Sequence, residues 1–232
     1  MKKVFKALGI LLSVLLTILI ICATVVGLSG WTFYKKTVEE RPISGIVEEI
    51  RQRDNYIKIE DVTKTFTDAV VAIEDHRFLE HGGIDILTTT RVLFENIFSM
   101  SLDQGGSTIT QQLARNFYFT QEKKFTRKVA ELFVALDLEK NYSKEEILEL
   151  YINIIYFGND QYGVQDAALY YFNKTPAELD LNESTWLAGL PQAPSVYSVD
   201  EEKGKQRQQQ VAQAMAEYQY ISKDEASDIS EP

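Results

Sequence analysis

Two acidic residues closing an apolar run are the first place where this chain could do chemistry. Glu74 and Asp75 follow the run Ala69–Ile73 inside the stretch AIEDHRFLEHGGID, residues 72–85. A carboxylate packed partly against apolar groups holds a proton more readily than one in water, which suits a general base. Phe78, His81 and the Gly82-Gly83 turn follow at short spacing. Taken alone, the same residues also describe an acidic helix end with a structural histidine.

A second candidate is GGSTITQQLARN, Gly105 to Asn116, with two hydroxyls, two amides and few apolar anchors. A loop of this kind leading into a helix can hold an anion or sugar hydroxyls through its backbone N–H groups. It is not a Walker loop, because no Gly-Lys-Ser/Thr follows, and no base is marked out that would make Ser107 a nucleophile. The bland alternative for Gln111 and Gln112 is a polar helix face. A third candidate is cationic: Arg115, Lys123, Lys124, Arg127 and Lys128, opposed between 115 and 128 only by Glu122. Such a cluster suits a leaving group whose negative charge grows, a pyrophosphate for example. Its bland alternative is a solvated i, i+4 pair of Arg127 with Glu131, worth a few tenths of a kcal/mol. Metal chemistry is not indicated: the histidines are His76 and His81, with neither HExxH nor a cysteine cluster.

These residues need elements to carry them, and the N-terminus supplies the first. Leu8 to Leu28 is uncharged; as a helix it rises about 30 Å, the hydrocarbon thickness of a bilayer. Lys2, Lys3 and Lys6 precede it and no acid occurs before Glu39, so the positive-inside bias places residues 1–7 in the cytoplasm and the bulk of the chain outside. Trp31, Phe33 and Tyr34 follow as an interfacial belt would. A cleaved signal peptide fits less well, because its apolar core is usually about 7–15 residues and TVVGLSG is a poor cleavage site. Cys22 is the single cysteine, so no disulfide forms within the chain.

Three of the 24 Lys and Arg and none of the 34 acids precede or lie in the apolar run, so the remainder carries a net charge of −13. Such a surface is not built for nucleic acid, and a local basic cluster on it is informative. Residues 29–55 read as a mixed-charge stalk and 56–232 as one globular domain. From Val62 the pattern is mostly helical. Val129, Leu132, Phe133 and Leu136 form one stripe, with Arg127 and Glu131 opposite. Ser143 with Glu146 forms a capping box ahead of a second, Ile147, Leu150, Tyr151 and Ile154. Helices are also expected over 165–172, 183–190 and 205–220, with a loop at Pro191 and Pro194. Strand signals are weak, so a mainly α fold with at most a minor hairpin follows. The apolar segment holding Val92, Leu93, Phe94, Ile97, Phe98 and Met100 is either a core helix or a surface that dips into the lipid leaflet.

Together these segments resemble the peptidoglycan glycosyltransferase (transglycosylase) domain of bifunctional penicillin-binding proteins and of monofunctional transglycosylases, over about residues 60–222. The family's motif Glu-Asp-x-x-Phe-x-x-His-x-Gly appears as Glu74, Asp75, Phe78, His81 and Gly83. Gly105 to Asn116 matches the second motif, and Arg127, Lys128 and Glu131 the third. The fourth appears as Lys144, Ile147, Leu148, Glu149, Tyr151 and Asn153, followed by Ile155 to Gly158; Leu187 to Ser195 and Tyr197 also fit. One position departs from the pattern: Arg115 stands where the family usually has Lys, a planar fork replacing a point charge. No transpeptidase motifs can be placed in these 232 residues, so the monofunctional form is expected.

The resemblance implies a lysozyme-like, two-lobed, mostly α-helical domain acting on lipid II, with the cytoplasmic membrane, the growing glycan strand and other cell-wall synthesis proteins as partners. It implies Glu74 as the base, Glu131 as the second catalytic acid, and Arg115, Lys123, Arg127 and Lys128 on the pyrophosphate. Ser107, Thr108, Gln111, Gln112, Asn116 and Asn153 would serve the substrate's sugar and phosphate oxygens, with Asp75, Phe78 and His81 beside them. Mg²⁺ or Mn²⁺ on the pyrophosphate is an optional cofactor. The rivals are a lytic transglycosylase or muramidase, which would not need the basic cluster, and a non-catalytic cell-wall scaffold, which would not need Glu74 and Glu131.

Overall fold

The computed structural model describes residues 2–91, 106–119 and 125–230. The apolar segment 92–100 and Lys123 lie outside them. The fold is mainly α, as expected. In chain order the helices are α1 (Lys2–Glu40), α2 (Ile43–Arg51), α3 (Lys64–Glu74), α4 (Ile109–Tyr118), α5 (Phe125–Asn141), α6 (Lys144–Ile154), α7 (Val164–Phe172), α8 (Leu181–Gly189), α9 (Pro194–Tyr197), α10 (Glu201–Glu217) and α11 (Lys223–Ser230). Residues 86–91 are also helical. Among the described residues the expected hairpin reduces to one antiparallel bridge, Tyr156 with Tyr162.

The first helix is longer than its apolar run. It continues unbroken from the apolar stretch through Glu40, about 58 Å in all. Among the described residues, Leu8–Glu40 is the one span long and apolar enough to cross a membrane, and none of its most apolar window is buried. The segment read as a stalk is instead packed. Tyr34, Ile43, Ile46, Val47 and Ile50 join the hydrophobic core, because α2 is strongly amphipathic, with those isoleucines and valine on one face. Gly30 lies so close to α5 that a Cβ there would fall 2.4 Å from Val129 Cγ1. Trp31 meets Phe133 edge-on at 4.8 Å between ring centroids, and the Tyr34 hydroxyl donates to Asp137.

That docking explains why the first stripe is out of register. On α5 the buried residues are Ala130, Glu131, Val134, Ala135 and Leu138, whereas Leu136 is exposed. Val129 and Phe133 face α1, and the neighbouring face packs on α4. A helix sandwiched on two sides has two apolar stripes, and the sequence pattern picks out the larger residues of one. The second stripe is as expected. Ile147, Leu150 and Tyr151 are fully buried, and both halves of the Ser143–Glu146 capping box form. Pro191 and Pro194 sit not in open loop but in a 3₁₀ turn, Leu190–Gln192, and at the start of α9.

Candidate active site

The C-terminal end of α3 delivers the first two acids. Glu74 is the last helical residue, and the backbone leaves the helix at Asp75, with φ −164° and ψ 72°. Asp75 then faces inward: Oδ2 accepts the Ile109 N–H (3.0 Å) and Oδ1 lies 2.7 Å from His81 Nε2. Burial pushes the Asp75 carboxyl up, while His81 and the Ile109 N–H oppose the shift. Thr108 caps α4 by accepting from Gln111 N–H, and its hydroxyl donates to the Gly83 carbonyl (both 3.1 Å). Gln111 Nε2 donates to the same carbonyl at 3.0 Å. Gly83 presses on the backbone of α5, where a Cβ would lie 2.9 Å from the Ala135 carbonyl carbon and 3.0 Å from its oxygen. The first two sequence motifs are thereby locked to each other and to α5.

Glu74 is held from two sides. Its Oε2 accepts from Gln112 Nε2 at 2.7 Å, and Gln112 Oε1 in turn accepts from the Tyr151 hydroxyl at 3.1 Å. Tyr151 is fully buried; burial first, then the Glu74 charge, holds its phenol well above the usual range. On the other side Arg207 Nη2 lies 3.6 Å from Glu74 Oε1. That oxygen is sealed from solvent and has no hydrogen bond. Burial pushes the Arg207 guanidinium down, with Glu74 pulling the other way.

The second group lies across α4. Glu131 is 1% exposed, far from the solvated pair of the bland reading, with Arg127 Nε and Lys128 Nζ each 3.2 Å from its oxygens. Lys128 Nζ also donates to Ser107 Oγ at 2.8 Å. Desolvation holds the Lys128 ammonium below the usual lysine value, opposed by Glu131 and reinforced by Arg115 and Arg127. Arg127 Nε is sealed from solvent and, although it lies beside Glu131 Oε1, makes no well-aligned hydrogen bond to it. Arg115 and Asn116 are exposed on α4, and the Arg115 charge is felt at both Lys128 and Tyr151. Among the described residues no three His, Cys, Asp or Glu gather as a metal site. Glu131 already faces two cations, Arg127 and Lys128.

Other expected substrate contacts sit behind the surface. Phe78 is fully buried, with Lys144 Nζ 4.3 Å above its ring. Asn153 is buried and bonded on both sides to Ile57, accepting its N–H at 2.9 Å and donating to its carbonyl at 2.8 Å. Asp75, Thr108 and Gln111 are buried too, and the His81 side chain is 6% exposed. These six build the walls. Glu74, Ser107, Gln112, Arg115, Asn116, Arg127 and Lys128 are described candidates left partly or wholly open. Two residues outside the expected set join the site: Tyr151, which stands in the fourth motif, and Arg207, an isolated arginine in a glutamine-rich helix that carries no sequence signal.

Residues 40–216 match the family model described as Transglycosylase. Penicillin-binding protein 1F of Bacillus subtilis is 42% identical over 172 residues, 73% of this chain and 24% of that protein. Penicillin-binding protein 1A of Vibrio cholerae is 48% identical over 173 residues, 73% of this chain and 21% of that protein. The chain thus spans under a quarter of the length of these relatives. The crystal structure of penicillin-binding protein 1A from Haemophilus influenzae aligns over 76% of this chain and 17% of that one, with TM-score 0.46 and 26% identity.

Proposed function

The chain belongs to the transglycosylase family, and from that premise we propose that it is an inverting glycosyltransferase that polymerises lipid II into β-1,4-linked glycan outside the cytoplasmic membrane. The 4-hydroxyl of an acceptor sugar attacks C1 of the donor MurNAc, and the C1–O bond to undecaprenyl pyrophosphate breaks. The hydroxyl's proton passes to Glu74, and the α-linked donor becomes a β-linked product. Arg127, Lys128 and Arg115 neutralise the departing pyrophosphate, and Lys123 belongs to the same set by sequence. Glu131 holds Arg127 and Lys128 in place as a buried counter-charge. Ser107, Gln112 and Asn116 face the sugars and phosphates. A divalent ion, where one takes part, is carried in on the pyrophosphate. The α1 helix spans the membrane with its N-terminus in the cytoplasm, and the growing strand and other cell-wall synthesis proteins are the partners.

One observation carries this reading. A part-buried carboxylate gripped through Gln112 and a half-buried cation cluster built around Glu131 lie on two sides of one short helix. A hydrolase needs the first and has no use for the second; a scaffold needs neither. The test is full-length protein in detergent with labelled lipid II, products resolved on a gel with and without muramidase. Muramidase-sensitive ladders from wild type that fall by about 10²–10⁴ in Glu74→Gln support the proposal. Well-folded wild type that leaves lipid II unpolymerised refutes it.

A further inference from the structure

Arg207 is the residue near the reaction centre that no motif accounts for. It enters from α10, far along the chain, and is buried with its hydrogen-bonding capacity directed elsewhere. Nε donates to the Gly189 carbonyl at 3.3 Å and Nη1 to Gln210 Oε1 at 3.0 Å. Those two bonds fix the plane of the guanidinium, and its free edge, Nη2, is left 3.6 Å behind Glu74 Oε1. A buried guanidinium beside a buried carboxylate oxygen that makes no hydrogen bond is not an ordinary structural ion pair, which would close to bonding distance.

The geometry points to Arg207 as a positioning residue for the base: it holds Oε1 of Glu74 at the back of the site and leaves Oε2 as the oxygen that takes the acceptor's proton. Oε1 is sealed from solvent, so only Oε2 can be offered to the cleft. Gln112 occupies one lone pair of Oε2, and a carboxylate oxygen has a second. The Gln112 amide cannot flip to release it, because Tyr151 donates to its carbonyl end. Among the described residues Arg207 from α10 lies beside Glu74, and the Tyr151 phenol from α6 feels the charges of Glu74, Arg115, Asp75 and Arg207. The described part of α8 offers the Gly189 carbonyl to Arg207, and its acid, Glu183, is paired with Lys174.

This inference rests on the polymerase reading, and its experiment separates the two. The full-length protein, Arg207→Gln and Arg207→Lys are assayed for lipid II polymerisation, with kcat and KM resolved and folding checked by thermal unfolding. Arg207→Gln should lose roughly 10–100-fold in kcat with KM within about two-fold. Arg207→Lys should keep most of kcat at the wild-type KM. A folded Gln variant with wild-type kcat, or one that raises KM at unchanged kcat, overturns the positioning role. Should the Gln variant fail to fold, the Lys variant decides: a kcat lowered roughly 10-fold or more overturns the role and a near-wild-type kcat supports it. A wild type that polymerises nothing removes the polymerase reading and this inference together.

Discussion

Gly83→Ala tests whether the contact between the first motif and α5 is what holds the site together. A Cβ at this position would sit 2.9 Å from the Ala135 carbonyl carbon and 3.0 Å from both the Ala135 oxygen and the Leu136 nitrogen. All three are backbone atoms of a helix and cannot rotate away, so the turn at Gly83 must retreat. Overpacking of this kind costs about 1–3 kcal/mol. The retreat also strains two buried hydrogen bonds into the Gly83 carbonyl, from Thr108 and Gln111, each worth about 1 kcal/mol. The expected destabilisation is about 2–4 kcal/mol, roughly a 5–15 °C fall in Tm for a chain of this size. Activity should fall further than stability, since a shift of about 1 Å in a catalytic frame can cost about 10²-fold in rate. Gly82→Ala is the control, because a Cβ there meets nothing within 4 Å. Thermal unfolding in detergent and lipid II polymerisation, run on both variants, give the answer. Equal behaviour of Gly82→Ala and Gly83→Ala would refute the reasoning.

Other perturbations reach different parts of the site. Burial holds the Lys128 ammonium below the ordinary lysine value, so its charge is lost earlier as pH rises and the alkaline limb of polymerisation should follow. Lys128→Arg, which stays charged, should move that limb to higher pH; identical limbs would contradict the assignment. Tyr151→Phe removes the donor to Gln112 and leaves a part-buried amide carbonyl without it, destabilising by about 1 kcal/mol, with a loss of kcat that chemical denaturation and kinetics measure together. Ser143→Ala deletes one half of the α6 capping box and should cost about 1 kcal/mol with KM unchanged; a large change in KM would mean that α6 is closer to substrate than the structure places it.

The sequence makes the helices visible because most have clear ends: the capping box before α6, the apolar stripe within it, the polar α10. The acid–base half of the site is legible for a similar reason, since Glu74, Gln112, Arg127, Lys128 and Glu131 fall within short, ordered motifs. Burial is what one-dimensional pattern cannot supply. Phe78 and Asn153 share motifs with reactive residues, yet one fills the core and the other splices Ile57 to α6. Arg207 is invisible in the sequence because its partner, Glu74, lies on a helix far back along the chain and its own surroundings are glutamine. The α5 stripe misleads because a helix covered on two faces offers two candidate registers. The apolar run stops at Leu28, and hydropathy alone gives no reason for α1 to continue beyond it.

That continuity of α1 has a consequence for where the reaction takes place. Gly30, two residues past the apolar run, sits against Val129 and the Thr126 carbonyl, and Arg127 and Lys128 lie on the same turn of α5. On the proposed reading, with α1 across a bilayer, the cation cluster would be held at the height where hydrocarbon gives way to headgroups, the depth at which a lipid carries its phosphates. No hinge intervenes, so the helix acts as a depth gauge rather than a tether. Inserting one residue between Leu28 and Gly30 would lift the catalytic body by about 1.5 Å and turn it by about 100° relative to the lipid plane.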